Sequence, residues 1–224
     1  MTGPAVLPGP SAAMGGRRLY LCTPDRVDLA AFLSAVITGG VDVVQLRDKE
    51  LDDRRLVERG RLAARVCADH GVPFLLNDRP DLALDIPGAG VHVGQSDASP
   101  ALARRLLGPG AVIGLSTHAP AELDASVTEP VDYVSAGPVE PTPTKPGRPG
   151  TGLGYLTYAL AHAGRPVFVT GGVTPETVPR LVAAGARGFV VVRHLTHAAD
   201  PQAAARALRD AIVAALESPR RAPA

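Results

Sequence analysis

The sequence predicts an α/β fold, a single (β/α)8 barrel of the TIM type. Eight short apolar or β-branched runs alternate with segments of helical periodicity. Polar residues follow most of these runs, whereas an open doubly wound sheet would gather them after one or two. No G-x-G-x-x-G follows the first run, which counts against a dinucleotide fold. With 224 residues and 46% hydrophobic content the chain can enclose one sizeable core. The runs recur about every 24 residues, a little under the ~30 of a unit in a barrel of about 250 residues.

Each element has its own grounds. Residues 1–16, MTGPAVLPGPSAAMGG, lack the basic start and continuous apolar centre of a secretory signal. They read as a disordered tail before a barrel at 17–217, and 218–224 reads as a second tail. RLYLC from 18 is the first strand, and DLAAFLSAVITGG the first helix. VDVVQL from 41 is followed by the helical LDDRRLVERGRLAARVCADHG. PFLL from 73 and GVHV from 90 are the next two strands, with SPALARRLLGPG after the latter. AVIGL from 111, APAELDASV, VDYVSA from 131 and GYLTYALAHAG continue the alternation. PVFVT from 166, TPETVPRLVAAGA, GFVVV from 188 and PQAAARALRDAIVAALES complete it. Gly39, Gly71, Gly108, Gly164 and Gly185 stand where a left-handed helix cap belongs.

Composition narrows the function. Lys+Arg of 23 against Asp+Glu of 22 leaves +1, so no broad basic field for nucleic acid exists and any anion binding is local. No apolar run approaches the roughly 20 residues that span a bilayer. Two cysteines in apolar surroundings, Cys22 and Cys67, read as buried free thiols of a reduced compartment. A cytoplasmic protein without membrane or nucleic-acid partners is expected, and assembly into a homo-oligomer is left open.

In this fold the chemistry lies where strands end. After the second strand, alternation points Gln45, Arg47 and Lys49 the same way, one amide and two cations. A solvated charge cluster at a helix start has the same composition. Asn77-Asp78-Arg79 and Gly94-Gln95-Ser96-Asp97 end neighbouring strands, so Asp78 and Asp97 can share a cation. Magnesium takes one or two carboxylates and completes its octahedron with water and phosphate oxygens. Alone, Asp97 could cap a helix, and Asp78 could pair with Arg79 or begin the next helix. Ser116, Thr117 and His118 follow the fifth strand. His118 by itself reads more readily as a hydrogen-bonded structural residue than as a catalyst, and the histidines show no metal-ligand spacing.

A long connection, GPVEPTPTKPGRPGTGL at 137–153, follows the sixth strand. Connections of about fifteen residues are more often functional lids than idle spacers. Its prolines at 138, 141, 143 and 146 restrict the chain in advance, and Thr142, Thr144 and Lys145 supply donors that suit phosphate. A solvated proline-rich loop is the plain alternative. After the seventh strand, Gly171 and Gly172 permit close approach of backbone N–H groups to an oxyanion. With the backbone at Val192 and Arg193 after the eighth, they complete the recurrent phosphate site of this fold. The rim thus offers a cationic site with a magnesium pair and a neutral backbone site, a division that fits two phosphorylated small molecules.

QLRDK at 45–49, NDRPDLAL at 77–84, GVHVGQSD at 90–97, IGLSTH at 113–118, the loop at 137–153 and TGGVTPE at 170–176 together resemble the thiamine-phosphate synthase family. The resemblance covers nearly the whole barrel. It implies a transferase that joins 4-amino-2-methyl-5-(diphosphooxymethyl)pyrimidine to 4-methyl-5-(2-phosphooxyethyl)thiazole, giving thiamine phosphate and diphosphate with Mg2+ as cofactor. It assigns Gln45, Arg47, Lys49, Asn77, Ser116 and Lys145 to the pyrimidine diphosphate, with Arg47, Lys49, Ser116 and Lys145 catalytic. Asp78 and Asp97 would bind the metal. Thr142, Pro143, Thr144, Gly172, Val192 and Arg193 would hold the thiazole phosphate. Two positions depart from the family pattern. Arg193 replaces a customary serine, and Glu140 replaces an apolar or aromatic residue and is expected to point to solvent. A thiazole tautomerase on the same barrel and a non-enzymatic phosphate sensor are the competing readings. The diphosphate-directed loop and the aspartate pair speak against both.

Overall fold

A computed structural model of the protein describes residues 14–142 and 149–218. Pro143, Thr144 and Lys145, and most of both tails, lie outside the described residues. Eight parallel strands close into a barrel in chain order: β1 Leu19–Thr23, β2 Val43–Leu46, β3 Phe74–Asn77, β4 Gly90–Val93, β5 Ile113–Thr117, β6 Tyr133–Ala136, β7 Val167–Val169 and β8 Gly188–Val191. The helices are α1 Leu29–Thr38, α2 Asp53–Asp69, α3 Pro80–Ala83, α4 Pro100–Leu107, α5 Pro120–Ser126, α6 Gly152–His162, α7 Val178–Ala183, α8 Arg193–Thr196 and α9 Pro201–Glu217. The predicted (β/α)8 barrel is therefore the fold. Helices α3 and α8 were not foreseen, because four residues are too few to carry a periodic pattern.

Strand parity organises the interior. Leu19, Leu21, Val44, Leu46, Val91 and Val93 face outward into the apolar layer beneath the helices. Their neighbours Tyr20, Val43, Leu75, Tyr133 and Phe168 face the barrel axis with Val190 beside them. Met14, within the stretch read from sequence as a tail, is buried against this group. The rings of Tyr20, Tyr133 and Phe168 meet edge to face at 5.3–5.9 Å, which suits their quadrupoles. Room for them comes from strand glycines: a Cβ on Gly114 would lie 2.1 Å from Cζ of Tyr133, and one on Gly188 2.7 Å from the Phe168 ring. Gly114→Ala should accordingly lower stability by about 1–3 kcal/mol, an overpacking cost, read as a lower urea midpoint at unchanged m-value.

The strand starts are pinned by carboxylates. Asp42 accepts from the backbone N–H groups of Arg18 and Leu19 at 2.9–3.0 Å and from Arg209 at 2.9 Å, tying α9 to β1. Asp132 does the same for Ile113 and Arg104, each at 2.7 Å. Helix α9 buries Ala205, Leu208 and Ile212. Its approach to α1 needs Gly39, where a Cβ would meet Gln202 O at 2.5 Å and Ala205 Cβ at 2.7 Å. Gly39 itself is right-handed, with φ −73°. The left-handed residue after α1 is Gly40, φ +116°, so close packing, not helix capping, requires glycine at 39. Gly71, Gly108, Gly164 and Gly185 have the positive φ that their positions predict. Both cysteines are buried free thiols, and burial pushes Cys67 up to about 12. Among the described residues no helix is long and apolar enough to cross a membrane.

Candidate active site

One step further along six of the strands, the inward positions turn more polar. After Tyr20 comes Cys22, after Val43 Gln45, after Leu75 Asn77, after Gly114 Ser116, after Tyr133 Ser135, and after Phe168 Thr170. They floor a cavity of about 680 Å³ at the C-terminal mouth of the barrel, a size that suits a cofactor or small substrate. Period-two alternation thus places an aromatic plug below and a polar floor above from one sequence pattern.

On the β2–β4 side the cavity is cationic and acidic together. Gln45, Arg47 and Lys49 all line it, Gln45 from β2 itself and the two cations from the segment just past its end. The Gln45 amide donates to Asn77 Oδ1 at 3.0 Å. Asp78 has φ +63°, a conformation that aspartate tolerates better than most residues and that costs backbone energy. Its N–H donates to His92 O at 2.8 Å, its carboxylate lies 3.5 Å from Lys49 Nζ, and it lines the cavity. The pairing of Asp78 with Arg79 does not occur: Arg79 is held by Asp53 and Asp81 at 2.6 and 2.7 Å. Nor does Asp97 cap a helix. Ser99 caps α4 by accepting from Leu102 N, while Asp97 Oδ2 accepts from Gly94 N–H at 2.8 Å and its carboxylate lines the cavity.

Burial raises the Asp78 carboxyl above its ordinary value, and the neighbouring Asp97 carboxylate raises it further; Lys49 and Asn77 oppose the shift. Two adjacent carboxylates, Asp78 half-buried and Asp97 exposed, suit a divalent cation, with the remaining coordination left to water and ligand oxygens. Among the described residues no group of three or more His, Cys, Asp or Glu could hold a metal alone, so a bound ion would need water or ligand oxygens to complete its shell. No ion pair holds Arg47 or Arg193 among the described residues, leaving two uncompensated cations at the mouth.

The opposite side is built from backbone. Gly171 and Gly172 have φ +88° and +73°. A Cβ on Gly171 would lie 2.6 Å from Pro138 Cβ, so the loops after β6 and β7 are in contact. Val139 N–H donates to Thr170 O at 2.7 Å, and Thr151 N–H to Pro138 O at 2.7 Å, clamping both ends of the 137–151 connection beside the cavity. Pro138 and Thr142 line it, as do Gly172, Val192 and Arg193. Helix α7 begins only at Val178, after a turn in which Thr177 Oγ1 donates to Gly172 O at 2.6 Å. The backbone at Gly172, expected from sequence to receive an anion, therefore owes its geometry to glycine backbone freedom, without a helix start at 174. Arg193 opens α8 and also borders a recess of about 210 Å³ shared with Cys22, Thr23 and Arg47.

Glu140 keeps the expected solvent exposure in part, its side chain being 43% exposed, but it also has a partner. Its carboxylate crosses the rim to pair with Arg180, and Oε2 would lie 2.6 Å from a Cβ at Gly172. Arg180 lies eight positions beyond Gly172 on α7, and its guanidinium pairs with the Glu140 charge at a half-exposed position outside the cavity lining. Neither partner of this pair shows a local sequence signal. His92 was also missed. It is buried on β4 and bonds to Ser116 Oγ at 2.9 Å and Tyr133 OH at 2.7 Å. The alternation in GVHV, which points it inward with Gly90 and Gly94, was the signal available. His118 is held by Glu122 at 2.8 Å.

Known proteins share this architecture. The chain matches the family described as thiamine monophosphate synthase over residues 19–195. It is 47% identical over 204 residues to a thiamine-phosphate synthase of Thermobifida fusca, covering 88% of this chain and 93% of that protein. With the thiamine-phosphate synthase of Mycobacterium sp. strain KMS it shares 43% over 218 residues, covering 92% and 96%. A solved structure, the thiamine phosphate pyrophosphorylase from Pyrococcus furiosus, superposes with a TM-score of 0.81 at 26% identity, covering 90% of this chain and 98% of that one. The cavity at the barrel mouth thus lies within the stretch matched by the family, and the chain belongs to the thiamine monophosphate synthase family of enzymes.

Proposed function

We propose that the chain carries the activity its family is named for, as a transferase. It would join 4-amino-2-methyl-5-(diphosphooxymethyl)pyrimidine to 4-methyl-5-(2-phosphooxyethyl)thiazole and release diphosphate. One observation carries the reading: the cavity mouth divides into a carboxylate pair with cations on the β2–β4 side and a glycine backbone, with Arg193 beside it and no carboxylate pair among the described residues, on the β7–β8 side. A diphosphate and a monophosphate are the ligands such a division separates.

In this reading Gln45 and Asn77 present amide groups to the flat pyrimidine edge. Arg47, Lys49, Lys145 and the Ser116 hydroxyl face its diphosphate. Asp78 and Asp97 would hold Mg2+, which supplies positive charge to the leaving diphosphate. Thr142, Pro143, Thr144, Gly172 and the 192–193 backbone receive the thiazole phosphate. The C–O bond to diphosphate breaks with its electron pair leaving on oxygen, and the thiazole nitrogen lone pair forms the new C–N bond to the pyrimidine methylene. No proton need move, so the residues contribute charge and position without a general base. The buried thiols and the absence of a membrane-crossing helix among the described residues fit a cytoplasmic location.

Incubating the purified protein with both substrates, with and without magnesium, tests this. Equal amounts of thiamine phosphate and diphosphate, formed only with magnesium, are expected; folded protein that makes neither would overturn the reading. Arg193→Ser should change KM for the thiazole phosphate several-fold while leaving that for the pyrimidine diphosphate nearly unchanged. The reverse pattern would mean the two sites are exchanged.

A further inference from the structure

A buried hydrogen-bond chain runs from the aromatic plug to the cavity floor, and none of its members beyond Ser116 is used above. Tyr20 OH meets Tyr133 OH at 2.9 Å, Tyr133 OH meets His92 Nδ1 at 2.7 Å, and His92 Nε2 meets Ser116 Oγ at 2.9 Å. Ser135 Oγ lies 3.4 Å from Ser116 Oγ as a weak further donor. All five residues are buried, and the His92 and Tyr133 rings stack at 5.5 Å, 28° apart.

The polarity of this chain follows from its inner end. Both phenols are held neutral, their ionisation pushed far up by burial. Tyr20 must place one hydroxyl hydrogen, and among the described residues Tyr133 OH is the acceptor within reach. A buried hydroxyl hydrogen without an acceptor is costly, so Tyr20 donates to Tyr133. Tyr133 then has its own hydrogen for His92 Nδ1, which must accept. The neutral imidazole carries its hydrogen on Nε2 and donates it to Ser116 Oγ. With His92 and Ser135 both donating to it, the Ser116 oxygen has no lone pair to spare, and its hydrogen points into the cavity.

We propose that Tyr20, Tyr133 and His92 are positioning residues that hold His92 in the Nε2–H tautomer and make Ser116 an obligatory hydrogen-bond donor to the bound substrate. The ligand atom opposite Ser116 must therefore be an acceptor. Resting on the function proposed above, that atom is a diphosphate oxygen or a ring nitrogen of the pyrimidine, not its amino group.

The test begins without any substitution. Nitrogen-15 NMR of uniformly labelled protein at neutral pH reports which imidazole nitrogen carries hydrogen, and His92 is assigned by the signal lost in His92→Gln. A protonated Nε2 with a bare Nδ1 is expected. A hydrogen on Nδ1, or on both nitrogens, overturns the proposal. Kinetics then ask whether the chain acts through Ser116. Ser116→Ala and Tyr133→Phe should each lower kcat by about 10²-fold, and the double variant should fall little further, because the second change removes nothing the first left working. Multiplying effects would overturn the coupling. Protein with a protonated Nε2 that makes no thiamine phosphate would support the polarity and sink the proposed reaction alone.

Discussion

Replacing Asp97 by alanine is expected to lower turnover by about two to three orders of magnitude and to flatten its dependence on magnesium. Asp97 and Asp78 end neighbouring strands and line the same cavity, with Lys49 3.5 Å from Asp78. Removing one carboxylate leaves a single acidic ligand for an ion that must still meet the diphosphate. The same side chain closes the turn after β4 by accepting from Gly94 N–H, so alanine also costs about 1 kcal/mol of stability. Asp97→Asn separates the two roles. Its amide oxygen can keep the Gly94 bond while the charge is gone. Loss of turnover equal to that of the alanine variant, at near-native thermal stability, would assign the effect to charge. A magnesium titration unchanged in both variants would remove Asp97 from any metal site.

Lys145→Ala is expected to be comparably severe, about 10²–10³-fold in kcat, with the unfolding midpoint unmoved. The segment bearing Lys145 departs from a base clamped at Val139, Thr170 and Thr151, and Thr142 already lines the cavity. An ammonium acting on the leaving diphosphate gains contact as negative charge develops, which is why the loss should fall on kcat more than on KM. A loop lysine contributes little to folding, so stability should stay within about 0.5 kcal/mol. Lys145→Arg distinguishes charge from geometry: partial recovery of turnover is expected if charge dominates. Near-native kcat in the alanine variant would take Lys145 out of the mechanism.

Much of the site is legible because strand parity is a local property. Once VDVVQL is a strand, Gln45 and Arg47 must share a face, and the same rule places Asn77, Ser116 and Thr170 above Leu75, Gly114 and Phe168. Roles shared between chemistry and capping were not legible. Asp78 and Asp97 each had a local competitor. Only the observed caps and pairs, Ser99 for α4 and Asp53 with Asp81 for Arg79, show that neither aspartate is used by a helix.

The sequence by itself determined the alternation of strands and helices, the barrel that follows, the inward parity of each rim residue and the families that share its motifs. Those features depend on periods of two and 3.6 residues and on short motifs, which read out within a few positions. Tertiary structure alone decided that Glu140 pairs with Arg180, that Gly39 serves the packing of α9, and that His92 joins Tyr133 to Ser116. These contacts join residues 24 to 166 positions apart in the sequence. Their partners are chosen by closure of the barrel and by the cost of leaving a buried hydroxyl or charge unpaired, conditions that no local window of sequence contains.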